Sequence, residues 1–247
     1  MTASMIALMF AAAFLSGAVN AIAGGGTFLT FGVLTLAGLP AVMANATSSI
    51  AQFPGYISST LAYLGDIRAI WKSAIALGIV SIAGSLGGSL FLIWLDNATF
   101  KAMVPWLLLA ATAVFAAGPW LKPKAGERHA ATPGGLAVQG VTSFYGGFFG
   151  AGMGIMMLAS LGLATGGDYH RLNALKNFLS IVIAAVAILV FSTAGAVSWS
   201  HALVMIPGVA LGGYAGVSAA RRVPQSVLRW IVVAAGFGLS IYYFVTG

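Results

Sequence analysis

The sequence contains no cysteine and only four acidic residues. Without cysteine there is no disulfide, no thiolate metal site and no cysteine nucleophile. Charged residues make up 6% of the chain and hydrophobic residues 60%, too little polarity to clothe a water-soluble domain of this size. Long hydrophilic stretches are missing as well. Apolar runs close to the roughly 20 residues that cross a bilayer follow one another from end to end. His-Glu-x-x-His, Gly-x-Ser-Gly and the phosphate-binding Gly-x-x-x-x-Gly-Lys-[Ser/Thr] loop do not occur, and Thr165-Gly166-Gly167-Asp168 lacks the first glycine of an intramembrane aspartyl protease motif. Neither an enzyme nor a self-sufficient ATP-driven pump is expected, and no cofactor is called for.

What the sequence does have is an excess of positive charge, with 11 Lys and Arg giving a formal +7. These residues stand at the ends of apolar segments rather than along one polar face, so they read as topology signals and not as a nucleic-acid footprint. The first 23 residues end in Ala21-Ile22-Ala23, a signal-cleavage pattern. Yet no Lys or Arg precedes the run, and it has a counterpart later in the chain, so a retained membrane segment is expected.

That counterpart belongs to a repeat. Ala23-Gly24-Gly25-Gly26-Thr27-Phe28, Ala44-Asn45-Ala46-Thr47-Ser48-Ser49, Gly84-Ser85-Leu86-Gly87-Gly88 and Val104-Pro105-Trp106-Leu107 are followed, in the same order, by Phe149-Gly150-Ala151-Gly152-Met153-Gly154, Leu172-Asn173-Ala174-Leu175-Lys176-Asn177, Val209-Ala210-Leu211-Gly212-Gly213 and Leu228-Arg229-Trp230-Ile231. The offset stays near about 125 residues, as in transporters built from two related halves. Residues 1–119 and 134–247 form the two membrane repeats, joined by the polar stretch 120–133 with Lys122, Lys124, Glu127, Arg128 and His129.

Periodicity predicts helices at about 4–23, 27–38, 42–64, 71–94, 101–119, 134–149, 153–165, 171–194, 199–220 and 225–245. The second helix of each half covers under about 20 Å of a hydrocarbon core about 30 Å thick. The fold expected is therefore an all-α polytopic membrane protein of two inverted-topology repeats, each a glycine-broken helical hairpin plus three transmembrane helices. On this topology Arg68, Lys72, Lys122, Lys124, Arg128, Arg171, Arg221, Arg222 and Arg229 share one side and Lys101 takes the other, which makes the rich side cytoplasmic and both termini periplasmic. Trp71, Trp94, Trp106, Trp120, Trp199 and Trp230 read as interface anchors near segment ends.

Three consecutive glycines after Asn20 serve a regular helix badly, at roughly 1 kcal/mol each. Unwound backbone with N–H groups at a half-helix N-terminus suits an anion. The first break offers Asn20, Gly24, Gly25, Gly26 and Thr27, and Gly150, Gly152 and Gly154 form the matching break. Gly84, Gly87, Gly88, Gly212 and Gly213 are expected instead to bring helices close together. Asn45, Ser48, Ser49 and Gln52 share one helix face, as do Asn173, Lys176, Asn177 and Ser180, and both faces should point inward. Lys176 is either a cation for an anionic ligand or a residue snorkelling to the interface. Tyr145, Tyr56 and Ser143 could add donors. Asp66, Asp96 and Asp168 fall in predicted loops, so no acid stands out as a proton carrier.

The run Ser16-Gly17-Ala18-Val19-Asn20-Ala21-Ile22-Ala23-Gly24-Gly25-Gly26, with Gly38-Leu39-Pro40 and Ala44-Asn45-Ala46-Thr47, resembles the TauE/SafE family of sulfite and organosulfonate exporters over the whole chain. The resemblance implies a carrier in the bacterial inner membrane that moves small sulfur-containing anions such as sulfite or sulfoacetate, usually outward, with a proton as a candidate coupling ion. An anion channel using the same residues, or an importer of another small anion, are the alternatives, and the oligomeric state stays open. The topology is checked by a C-terminal reporter active only in the cytoplasm. It should be silent, and a bright signal would reverse the orientation.

Overall fold

The computed structural model describes residues 1–22, 25–62, 64–69, 71–117, 132–165, 169–219 and 225–246. Gly24, Asp168, Arg221, Arg222 and the joining stretch up to residue 131, with Trp120, lie outside the described residues. Among the described residues the regular structure is entirely α-helical: α1 (Ala3–Ile22), α2 (Thr27–Leu36), α3 (Ala41–Ala62), α4 (Leu64–Ala69), α5 (Trp71–Trp94), α6 (Asn97–Ala117), α7 (Pro133–Phe148), α8 (Met153–Thr165), α9 (Tyr169–Thr193), α10 (Trp199–Ala219) and α11 (Gln225–Thr246). Four of them contain stretches long and apolar enough to cross a membrane: Ala3–Ala21, Trp71–Trp94, Asn97–Val114 and Arg171–Thr193. By contrast α2 and α8, with 10 and 13 residues, reach only about 15 and 20 Å.

Three expectations need correction. Asp66 falls on the short helix α4 rather than in a loop, because the chain winds a further helical piece between α3 and α5. Gly154 lies in the first turn of α8, so the second break ends at Gly152. Trp106 stands mid-helix, since α6 begins at Asn97. Its ring is exposed and packs edge-on against Phe244, with centroids 5.1 Å apart. Trp71, Trp94, Trp199 and Trp230 are also exposed.

Asp96 starts α6 by accepting from the Thr99 amide at 2.9 Å and the Thr99 hydroxyl at 2.6 Å. The Thr99 hydroxyl bond, helped by the backbone bond, holds its exposed carboxyl below the usual range. It remains an ionised cap at a helix end.

Glycines set how closely the long helices approach. A Cβ on Gly84 or Gly88 of α5 would strike the carbonyl oxygens of Gly140 or Phe144 on α7. On α10, a Cβ at Gly208 or Gly212 would strike the carbonyls of Phe10 or Phe14 on α1. Backbone-to-backbone contact of this kind is what small residues permit in membranes, where no hydrophobic drive exists between helices. Both sets of contacts advance together along the two chains, so α5 runs parallel to α7 and α10 parallel to α1. Gly55 and Ser58 of α3 meet Val209 and Gly213 of α10 in the same sense. Gly78 and Ser85 of α5 likewise meet Phe178 and Ile183 of α9.

Contacts pair off between the halves. α1 packs on α2 and α10, as α7 packs on α8 and α5; α3 meets α9 at the centre, and α6 meets α11. Aromatic rings wedge the end of α7 in place. Phe149 lies edge-on to Phe31 of α2 at 5.6 Å, and Phe148 edge-on to Phe100 of α6 at 5.6 Å.

Candidate functional site

Breaking a helix inside a membrane leaves its last carbonyls without partners. Here each break is capped by a side chain from the central helix of the other half. Asn45 of α3 donates to Phe148 O at the end of α7 at 2.9 Å. Asn173 of α9 donates to Ala21 O near the end of α1 at 3.2 Å, and Lys176 Nζ donates to Asn20 O at 2.9 Å. Lys176 is 1% exposed, so it does not snorkel. It is the one charged side chain that is buried among the described residues, and it sits on the negative end of the α1 dipole.

The turns themselves need glycine at two places. Gly25 has φ +88° and Gly152 has φ +81°, a region L side chains avoid. Gly26 is helical, but a Cβ there would run into Ser16 O of α1, so it allows α2 to fold back closely.

Asn20 is the hub of the first break. Its Oδ1 accepts from Gly26 N at 2.7 Å, and its Nδ2 donates to Gln52 Oε1 at 2.7 Å and to Thr27 Oγ1 at 3.3 Å. Gln52 Nε2 donates in turn to Ser16 Oγ and to Thr30 Oγ1, and Thr30 and Ser48 share a bond of 2.7 Å. Asn20, Asn45, Ser48, Gln52, Asn173 and Lys176 therefore each commit at least one polar atom to holding the breaks. Tyr145 braces the second break by donating to Ala151 O at 2.9 Å. Ser143 bonds Ser81 and Gln139 at the α5–α7 contact.

Between the breaks lies a narrow cavity with about 10 Å³ open to the centre of a water molecule, room for little more than one water. Of the candidates, Thr27, Ser49, Tyr56 and Gly150 line it, together with Gly146, Met153 and the α9 residues Ile183, Ala184 and Ala187. Thr27 opens α2 and Met153 opens α8, so the N-terminal ends of both short helices border the same space. Nothing in the sequence marked Ile183, Ala184 and Ala187, which look like any buried apolar residues. Ser16 and Thr30 were also missed, although each lies three or four positions from a polar residue of the break.

Comparison with known proteins settles the family. Residues 9–243 match the family described as Sulfite exporter TauE/SafE. This chain belongs to the TauE/SafE family. A probable membrane transporter protein of Haemophilus influenzae is 29% identical over 238 residues, covering 94% of this chain and 92% of the relative. Another, ORF9 of a Sinorhizobium species, is 29% identical over 242 residues, covering 96% and 91%. The probable membrane transporter protein YfcA of Escherichia coli is 27% identical over 235 residues, covering 93% and 86%. As a TauE/SafE protein the chain is a multi-pass membrane transporter and not an enzyme.

The geometry separates two glycines of the second break. Gly152→Ala forces a positive φ and pushes a Cβ to 2.6 Å from Ala111 Cβ, which should destabilise by roughly 1–3 kcal/mol. Gly150→Ala meets Ser49 Oγ at 3.2 Å and Thr27 Cγ2 at 3.9 Å in the cavity. It should fold with a loss under about 1 kcal/mol and transport poorly. Thermal unfolding in detergent beside transport assays checks the contrast, and equal effects of the two on stability would contradict it.

Proposed function

We propose that this TauE/SafE protein is a secondary carrier of sulfite and short organosulfonates, exporting them across the bacterial inner membrane by alternating access. The observation that carries the reading is the meeting of two glycine breaks, with the N-terminal ends of α2 and α8 bordering one buried cavity. Two half-helix N-termini aimed at one space favour negative charge. The family description supplies the sulfur oxyanion.

The halves are inverted in this reading, with both termini periplasmic. Supporting it, α1 runs with α10 and α7 with α5, while α5 runs with α9. Since α9 and α10 are joined by a short turn and so oppose each other, α1 and α7 oppose each other too. Rocking one half against the other would open the narrow cavity to each side in turn.

The substrate sits between Thr27, Ser49, Tyr56 and Gly150, flanked by Gly25, Gly26, Gly152 and the first turn of α8 with Gly154. Asn20, Asn45, Ser48, Gln52, Tyr145 and Asn173 shape this space, and Asn177 and Ser180 extend it along α9. Lys176 contributes the positive charge, one hydrogen bond from Asn20 and two from Thr27. A proton gradient is the proposed driving force.

The test is flux of labelled sulfite in liposomes with and without an imposed pH gradient. Saturable flux that follows the gradient is expected, and Lys176→Met should lower it at least about tenfold, a loss of about 1.4 kcal/mol or more of anion stabilisation. Absence of saturable flux in the unmodified protein would overturn the substrate assignment, and a fully active, normally expressed Lys176→Met would remove the lysine from the site.

A further inference from the structure

On the second central helix, Asn177 and Ser180 are wholly buried. Asn177 Nδ2, Asn177 Oδ1 and Ser180 Oγ have no hydrogen-bond partner. Groups of this kind are rarely left unsatisfied in a finished structure. Several other buried hydroxyls bond a carbonyl of the preceding turn, as Thr142 does to Val138 O and Ser89 to Ser85 O. Thr60, Thr112 and Ser192 are lone hydroxyls without partners, and the unpaired oxygen of Gln139 belongs to an amide whose nitrogen bonds Ser81 and Ser143, as the Asn173 nitrogen bonds Ala21 O. Among the described residues only Asn177 has a donor and an acceptor both unpaired, so exchanging its amide O and N would not change the finding.

Their placement points to a ligand. Ser180 precedes Ala184 by four positions and Ala187 by seven, so it continues the α9 wall of the cavity by one more turn. Asn177 follows on the same face, beside Lys176, whose ammonium is already committed to Asn20 O. The corresponding face of α3 ends in Ser49 and Gln52, and both of those side chains are bonded.

We propose that Asn177 and Ser180 form a subsite for a hydrogen-bond donor on the transported anion. Its preferred substrates then carry a hydroxyl or ammonium group beside the oxyanion. The chemistry requires it: oxyanion oxygens can accept from Asn177 Nδ2 and the Ser180 hydroxyl, but they would turn negative charge toward the lone pairs of Asn177 Oδ1. A donor on the substrate satisfies that atom. A pocket arranged to bond a hydroxyl rejects the analogue lacking it far more strongly than an apolar pocket discriminates. This inference rests on the anion-carrier reading above and adds a selectivity to it.

Isethionate and ethanesulfonate differ by a single hydroxyl, so the test is their competition with labelled sulfite in liposomes holding the full chain. In the unmodified protein isethionate should inhibit at least about tenfold better. Asn177→Leu should collapse that ratio to near unity without lowering the unfolding temperature, because an isosteric apolar group replaces an unpaired amide. Ser180→Ala should reduce the ratio in the same direction, and it decides the matter if Asn177→Leu does not insert. Equal inhibition in the unmodified protein overturns the subsite, as does a preference that survives substitution. So does a lost preference accompanied by a sharp fall in unfolding temperature, which would make these residues part of the scaffold. Failure of sulfite to show saturable flux at all is a separate result and defeats the carrier reading itself.

Discussion

Everything in this structure depends on satisfying carbonyl groups where a helix stops in the buried core of the protein. Water is not there to bond them, and each unpaired group costs several kcal/mol on the order given by transfer to an apolar medium. The solution is reciprocal: Asn45 of the first half closes the end of α7, and Asn173 with Lys176 of the second half closes the end of α1. Neither hairpin could hold its break alone. The two central helices must meet for either break to be closed, which explains why α3 and α9 carry polar faces that would be expensive toward lipid.

The two breaks are closed in the same way but differ in wiring. The first break is knitted by Asn20, Gln52, Thr30, Ser48 and Ser16 into a continuous buried network. At the second, Tyr145 and Asn45 make the polar contacts, and aromatic packing of Phe148 and Phe149 supplies much of the rest. A network fixes geometry through directional bonds, whereas ring packing tolerates sliding. Glycine contacts of α5 with α7 and of α10 with α1 then seat each hairpin closely against a long helix.

Much of this was legible in the sequence. Helix breaks at the glycine runs follow from backbone strain, and the observed ends at Ile22 and Phe148 lie within a residue or so of the positions expected. The glycines at 84, 88 and 212 were correctly separated from those of the breaks, because single glycines spaced along an apolar helix have packing as their use. Membership of the TauE/SafE family was carried by the motif from Ser16 to Gly26 together with Asn45. What the sequence did not disclose is which polar side chains are taken. Asn20, Asn45 and Asn177 look alike as buried amides, yet the first two bond the scaffold and the third is unpaired. Partner identity is a property of tertiary packing and leaves no trace in spacing.

The absence of cysteine makes the central claim, that the two breaks enclose the substrate and must part to admit it, directly measurable. A Cβ built at Gly150 lies 3.9 Å from Thr27 Cγ2, so side chains at the two positions face each other across the gap. Oxidising the double variant Thr27→Cys/Gly150→Cys in liposomes, with each single variant as control, should abolish the residual sulfite flux of the reduced double variant, and a reductant should return the flux to that residual level. A fully cross-linked protein that transports as fast as its reduced form would contradict the claim.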